Sequence, residues 1–456
     1  MSGRARHAKA VLIAVIGLHL VAETALTPFL PQLFERLYGI EDHGATGLYL
    51  WVCRIVGLAV LPLWGLAARR WPLHRLVLGG LCGTAVLDLL LGLAPSYAAY
   101  TAVSTAVVAT NSALLLAYPA FIAQYDGGGD GAGDAAGGDG ERSRLAGICS
   151  IVVVFHLSAV AATVVGAGVL ALPDPRWGIS SFALLDVVLA VLVHRVMCRR
   201  APAAADVAVP AAADTPTAQA AAQTQNQNQP RPAPKRHRRG RFALLAQVAL
   251  IGLAFDFSVS VARPFFTEFA ADLGGGATAS AVLFFLPSVA ALAVLPVVRR
   301  CHALLGDRLL PLSMAVGAAG LLWQALADSL PALVGGRLLF GVCLGLGQVA
   351  VELRMFRATG TAGPEYTAVE TARSAGLLAA PLVATAAVSA DLALPLAVAA
   401  AVQVLGTLLA LRRARPAAPV PAPVPAVPAP RPEPAPSSSP VPEPVPALAH
   451  AKENDR

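Results

Sequence analysis

Apolar runs of about 20 residues fill most of this chain, and a helix needs that length to cross the ~30 Å hydrocarbon core of a bilayer. Of the 456 residues, 56% are hydrophobic and 13% are charged, whereas about 25% are charged in an ordinary soluble domain. We therefore expect an all-α polytopic membrane protein with 12 transmembrane helices. The runs lie at residues 10–33, 46–67, 74–94, 98–121, 146–171, 178–198, 242–262, 277–298, 309–328, 332–353, 367–388 and 391–411.

A long polar segment separates the first six runs from the last six. We predict an N-terminus (1–9), a six-helix bundle (10–198), a linker (199–241), a second six-helix bundle (242–412) and a tail (413–456). The linker is rich in Ala, Pro, Gln and Asn, and the tail alternates Pro with Ala and Val. Both compositions are typical of disorder. The tail could also hold a docking site for a partner. The cluster Lys235–Arg241 is expected to bind anionic lipid headgroups.

Basic residues gather at one end of the predicted spans and acidic residues at the other. Cytoplasmic loops of membrane proteins are enriched in Arg and Lys, so we expect both termini in the cytoplasm of a bacterium, with the chain in the inner membrane. This asymmetry explains the net charge of +7, and we expect no nucleic-acid binding. The basic loops hold Arg69, Arg70, Arg75, Arg142, Arg144, Arg199, Arg200, Arg299, Arg300, Arg308, Arg354, Arg357, Arg412 and Arg413, and the acidic loops hold Glu35, Glu41, Asp42, Asp174, Glu268, Asp272, Asp328 and Asp391.

Short sequence motifs of the first half recur in the second half at a nearly constant offset. The five residues 58–62 (LAVLP) return at 292–296, which is 234 positions later, and the pair Pro28-Phe29 returns as Pro264-Phe265 after 236 positions. Because the span count repeats with the same register, we expect two parallel six-helix repeats.

The loop after the second run resembles the loop motif of the Major Facilitator Superfamily, Gly-x-x-x-Asp-Arg-x-Gly-Arg-Arg. Gly65 and Arg70 match it, while Arg69 stands in place of the Asp and Pro72 in place of the second Gly. The charge pairing that this motif makes in the family is therefore not expected here in its usual form.

A second resemblance to that family lies in the tenth run. Arg337, Gly341 and Gly345 follow its Arg-x-x-x-Gly signature, which normally belongs to the fourth span, where this chain offers polar Asn111. The Gly-Pro motif of the family's antiporters is missing from the fifth span. The sequence segment at residues 28–34 (PFLPQLF) is similar to a segment of bacterial exporters associated with siderophore pathways.

The resemblance implies two pseudo-symmetric bundles around a central cavity and transport by alternating access. We expect a monomeric secondary transporter that moves a small polar or amphipathic molecule, such as a siderophore or another secondary metabolite, by proton-coupled export. We expect no cofactor, and the proton gradient is the expected driving force. The sequence leaves open an uptake carrier or facilitator and, in another class, a non-transporting sensor or scaffold or a membrane-embedded enzyme. Because no nucleophile motif, metal-ligand spacing or phosphate-binding loop is present, we expect neither catalysis nor a metal site.

Ionisable residues inside apolar spans are costly, at roughly 2.5–3.5 kcal/mol each, and they usually serve function. Counted from the helix ends at 1.5 Å per residue, Glu23, Arg54, Asp88, Asp186 and Asp256 fall in one layer. Because isolated charges there are untenable, we expect Arg54 to pair with Glu23 or Asp88.

Six residues are candidates for the substrate or proton pathway. Glu23 and Asp256 either line the cavity and titrate or form permanent structural ion pairs. His19 lies one turn from Glu23, at i, i+4, which suggests a proton relay, and His156 is either a relay or a hydrogen-bonded packing residue. The pathway set is Glu23, His19, Arg54, Asp256, Asn111 and His156.

Another set of charged residues is expected to be structural or to gate the cavity. Glu352 with Arg354, and Glu370 with Arg373, are predicted as pairs at the cytoplasmic mouth, unless they extend to the lipid headgroups. The structural or gating set is Asp88, Asp186, Arg70, Arg337, Glu352, Glu370 and Arg373.

Overall fold

The computed structural model describes residues 3–68, 70–71, 73–126, 139–198, 235–359 and 364–412, and these residues form helices, turns and short connections without a strand. The predicted linker centre and the tail lie outside the described residues. The expectation that the whole segment 199–241 lacks structure is wrong at its end, because a helix begins at Lys235. The apolar run that follows continues this helix without a break.

The N-terminal half contains seven helices within the described residues. They are α1 (Gly3–Thr24), α2 (Leu30–Tyr38), α3 (His43–Ala68), α4 (Leu73–Gly92), α5 (Tyr97–Asp126), α6 (Asp139–Ala171) and α7 (Pro175–Cys198).

The C-terminal half, as far as it is described, contains nine helices. They are α8 (Lys235–Ala262), α9 (Phe266–Asp272), α10 (Ala277–Val294), α11 (Val298–Leu305), α12 (Leu309–Ala325), α13 (Leu330–Thr359), α14 (Pro364–Gly376), α15 (Ala379–Val388) and α16 (Leu394–Leu411).

Each predicted apolar run coincides with helix in the structure. Ten segments of the described residues are long and apolar enough to cross a membrane. One of them, Ala277–Ala325, has 49 residues and contains two predicted spans. Helix α5 covers the predicted run 98–121. The chain is thus a multi-pass membrane protein, as its composition indicates.

The first span of each half is broken at the repeated Pro-Phe pair. Helix α1 ends at Thr24 and α2 begins at Leu30, while α8 ends at Ala262 and α9 begins at Phe266. Proline lacks the N–H that would continue the helical hydrogen-bond ladder, so the same residue pair breaks both spans at the same place. The first candidate span continues beyond its predicted end to Tyr38, whereas the corresponding span of the second half ends at Ala262 and is followed by the separate helix α9.

The two ends of the helices differ in charge. We call one the basic end, where Arg75, Arg195, Arg241, Arg299, Arg357 and Arg412 lie, and the other the acidic end, where Glu35, Asp42, Asp174, Glu268, Asp328 and Asp391 lie. This separation of charge follows the pattern predicted from the loops.

The halves pack together along α6 with α10 and α13, and along α3 with α15. Gly47 of α3 lies so close to Thr385 of α15 that a Cβ atom would collide with the threonine hydroxyl. Within the C-terminal half, Gly341 and Gly345 place α13 directly against the backbone of α10. Small residues allow such close helix contacts in membranes, which explains the spacing of the glycines in the tenth run.

Candidate functional site: a polar centre between the halves

One arginine binds three carboxylates in the C-terminal half. Arg373 of α14 donates from Nη2 and Nε to Asp256 Oδ2 of α8, at 2.5 and 3.1 Å. Its Nη1 lies 3.0 Å from Glu370 Oε2 and 3.4 Å from Glu352 Oε1 of α13. We call these four residues the Arg373 cluster. It holds three acids and one base, so at full ionisation it carries an excess of negative charge.

The Arg373 cluster combines residues that the sequence assigns to different places. Glu352 was expected to pair with Arg354, but it pairs with Arg373. The reason is that α14 and α13 both pack against α8. The arginine side chain is only 7% exposed, while those of Asp256 and Glu352 are 29% and 25% exposed. The carboxylates are therefore partly exposed, whereas the guanidinium that holds them is buried.

Arg54 of α3 crosses from the N-terminal half toward this cluster. Its Nη2 lies 3.4 Å from the Oγ of Ser260 on α8, and Asp256 is the acid that acts on it electrostatically. The expected ion pairs with Glu23 and Asp88 are absent from the described residues. The physical reason is that α3 packs across the interface, against α15, so its central arginine points into the other half.

Two further groups lie near the centre of the interface. His156 of α6 has its Nδ1 3.3 Å from Ser288 Oγ of α10, and its buried Nε2 has no hydrogen-bond partner. Arg263, at the break after α8, lies over the Phe284 ring at 5.9 Å. His156 therefore contacts the opposite half, which neither of its predicted roles anticipated.

At the acidic end, polar contacts fasten the halves together. His43 Nε2 at the start of α3 lies 2.8 Å from Glu268 Oε2 of α9. Thr267 Oγ1 donates to the carbonyl of Pro28 at 2.7 Å. Burial raises the pKa of Glu268, and the neighbouring His43 partly offsets this rise. These contacts close the acidic end of the interface.

The remaining pathway candidates lie within the N-terminal half. His19 Nε2 is 3.9 Å from Glu23 Oε2, and the side chains are 7% and 36% exposed. Asn111 is buried and accepts a hydrogen bond from Thr84 of α4 at 2.8 Å. Asn111 therefore joins α5 to α4, whereas the Glu23 side chain is partly exposed. Asp88 and Asp186 are both buried between α4 and α7.

The two arginines of the family-like motifs differ in their surroundings. Arg337 is buried, donates to the carbonyls of Leu283 and Phe284 at 2.8 and 2.6 Å, and lies 3.7 Å from the centre of the Phe266 ring. It thereby ties α13 to α10 and α9. Arg70 is exposed just beyond the end of α3.

Several functional contacts were missed by the sequence analysis. Ser260 and Ser288 are polar residues in apolar runs, and Thr267 follows one such run by five residues; that signal was available but is weak. The His43–Glu268 pair joins positions 225 apart, so only the folded arrangement shows it. Among the described residues, no group of His, Cys, Asp or Glu could hold a metal ion.

No protein-family model and no curated protein matches the sequence. Solved structures do match the fold. The human organic anion transporter MFSD10 (TETRAN) aligns with a TM-score of 0.58 and 18% identity, over 90% of this chain and 100% of that one. This chain has the Major Facilitator Superfamily fold. A mutant of the nucleoside transporter NupG aligns with a TM-score of 0.58 and 12% identity, over 88% of this chain and 98% of that one. The fold class predicted from the sequence is confirmed.

Proposed function

We propose that this protein is a secondary transporter that exports a small polar or amphipathic molecule across the bacterial cytoplasmic membrane by proton-coupled alternating access. The single observation that carries the proposal is the Arg373 cluster, a set of partly exposed acids inside a membrane domain. Solved structures of the same fold belong to an organic anion transporter and a nucleoside transporter, which supports transport as the general class.

Proton coupling follows from the charge of the cluster. Arg373 can neutralise one of the three carboxylates around it, and the others share a region where uncompensated charge is costly. At least one acid therefore holds a proton in part of the transport cycle. Asp256 is the best placed, since it lies on α8 beside Ser260 and faces Arg54 from the opposite half.

Alternating access is supported by the position of the contacts between the halves. The polar contacts of His43 and Thr267 close the acidic end, and an apolar cluster that includes Ile148, Val298 and Leu353 joins the halves toward the basic end. We take the basic end as cytoplasmic. A change in the protonation of the Arg373 cluster then alters the charge between the contact region at the periplasmic end and the one at the cytoplasmic end. Rocking of the two repeats around a central site is the motion that such an arrangement allows.

The experiment that tests the proposal compares metabolites inside and outside cells for wild type, a deletion strain and an Asp256→Asn strain, in iron-poor and iron-rich media. We expect one compound to accumulate inside the deletion and Asp256→Asn cells. Retention confined to iron-poor medium would favour a siderophore. The matched control is Glu365→Gln, since Glu365 binds Arg241 at the exposed basic end and should not affect export.

Direction and coupling are then separated in everted membrane vesicles. Uptake of the retained compound into these vesicles should require an imposed proton gradient and stop when a protonophore is added. A compound left unconsumed in the medium of the deletion strain would reverse the direction and favour an uptake carrier. Identical metabolite profiles in all strains would reject transport of a metabolite and favour a sensor or scaffold.

A further inference from the structure

Three ionisable side chains meet inside the N-terminal half, away from the Arg373 cluster. His19 of α1, Asp88 of α4 and Asp186 of α7 are 5%, 7% and 1% exposed. Helix α7 packs against both α4 and α1. The Asp186 carboxyl interacts electrostatically with the Asp88 carboxyl and with the His19 ring. We call these residues the buried triad.

The triad lacks the partners that buried charges require. The Asp186 carboxyl has the Asp88 carboxyl as its hydrogen-bond partner, a contact that requires a proton on one of the two acids; no other described group pairs with its oxygens, and neither ring nitrogen of His19 has a hydrogen-bond partner. Among the described residues, no arginine or lysine pairs with Asp88 or Asp186. Helix α6 also contacts α7, but its His156 faces Ser288 of the other half. Because an unpaired carboxylate in such a place is strongly disfavoured, the pair of acids retains at least one proton.

Apolar side chains seal the triad from both ends of the bundle. Val15, Leu81 and Leu189 belong to a buried cluster on its basic side. Leu91 and Phe182 belong to another on its acidic side. Next to the triad lies Glu23, whose Oε2 is 3.9 Å from His19 Nε2 and whose side chain is 36% exposed.

We propose that the buried triad is a second proton-binding site, loaded through the partly exposed Glu23 and the buried His19. A proton leaves the Glu23 carboxylic acid and binds the neutral His19 ring, and His19 gives a ring proton to the Asp186 carboxylate. Glu23 ends as a carboxylate, His19 is again neutral, and Asp186 ends as a neutral acid. The site rests on the proposed function in one respect, since proton storage matters to a transporter that is driven by protons.

The first test is infrared spectroscopy of the purified protein at neutral pH, with water as the only probe. Wild type should show the carbonyl band of a protonated buried carboxylic acid, and both Asp186→Asn and Asp88→Asn should reduce or shift it. Asp328→Asn is the matched control because Asp328 is exposed in the loop before α13. An absent band in wild type, or a band unchanged in both triad variants, would overturn the inference. A band that appears only when sodium is removed would assign the site to a metal cation instead.

The second test concerns the route. On transfer to D₂O the band moves to lower frequency as deuterium replaces the proton. In His19→Leu and Glu23→Gln this exchange should slow by about tenfold or more, because positioned proton carriers typically accelerate transfer by 10²–10⁴. Equal exchange rates in wild type and both variants would reject the route. If vesicle transport proves insensitive to the proton gradient while the band is present, the proposed coupling fails and the proton site stands.

Discussion

The two halves share a fold but differ in what surrounds the acidic side chains inside their helices. In the C-terminal half, Asp256, Glu352 and Glu370 surround Arg373 and are partly exposed. In the N-terminal half, Asp88 and Asp186 are buried and pair with no arginine or lysine among the residues that the structure describes. The first arrangement stabilises charge by pairing with a cation, whereas the second keeps at least one proton on the pair of acids. The comparison teaches that an acid in an apolar run does not by itself indicate a charged site.

The largest effect is expected from Arg373→Gln. Three carboxylates would lose the one cation that contacts all of them, and breaking a buried pair in this way costs about 3–5 kcal/mol. Thermal unfolding of the purified protein in detergent measures the loss. The control is Arg241→Gln, which breaks an exposed pair with Glu365 and should cost at most about 1 kcal/mol. Equal losses in the two variants would contradict the view that the Arg373 cluster is desolvated.

An intermediate effect should separate the halves directly, through the same substitution in each. Asp256→Asn removes a charge-assisted hydrogen bond from Arg373 and should cost about 1.5–3 kcal/mol of the free energy of unfolding. Asp186→Asn places a neutral amide of similar size in a pair that already holds at least one proton, and should cost less than about 1 kcal/mol. Both are measured by the same thermal unfolding at neutral pH. A larger loss for Asp186→Asn than for Asp256→Asn would remove the distinction between the halves.

The smallest effect concerns Glu268, which joins the halves at the acidic end. Because burial raises its pKa, the neutral acid is favoured in the folded protein. Its contribution to stability is present below the unfolded pKa of about 4.3 and is lost as the pH rises through the folded pKa. Glu268→Gln should therefore unfold at a higher temperature than wild type at pH 8, with little difference at pH 4. The expected gain is below about 1 kcal/mol. A variant that is less stable at pH 8 would show that the His43 contact outweighs the burial of Glu268.

The fold could be predicted because run length and loop charge carry it. The apolar runs, the repeat of the Pro-Phe pair and the glycines at 341 and 345 all have direct counterparts in the helices. The candidate site was harder to predict, since Arg54 was assigned by its depth alone. Depth does not specify which helix face a residue occupies, so the sequence could not show that Arg54 faces Ser260 rather than Glu23. The convergence of Glu352, Glu370 and Asp256 on Arg373 likewise depends on how α8, α13 and α14 pack.

The hydrogen bond from Thr267 to the Pro28 carbonyl bears on the free energy that the halves need to separate at the acidic end in the proposed alternating access. The proline breaks the first span, and the backbone oxygen at that break is held by a hydroxyl from the other half. A single bond of this kind contributes about 0.5–1.5 kcal/mol, which is comparable to a few multiples of thermal energy. If the halves rock as proposed, the loss of this bond on opening is small enough to be offset by the binding of a small ligand or of one proton.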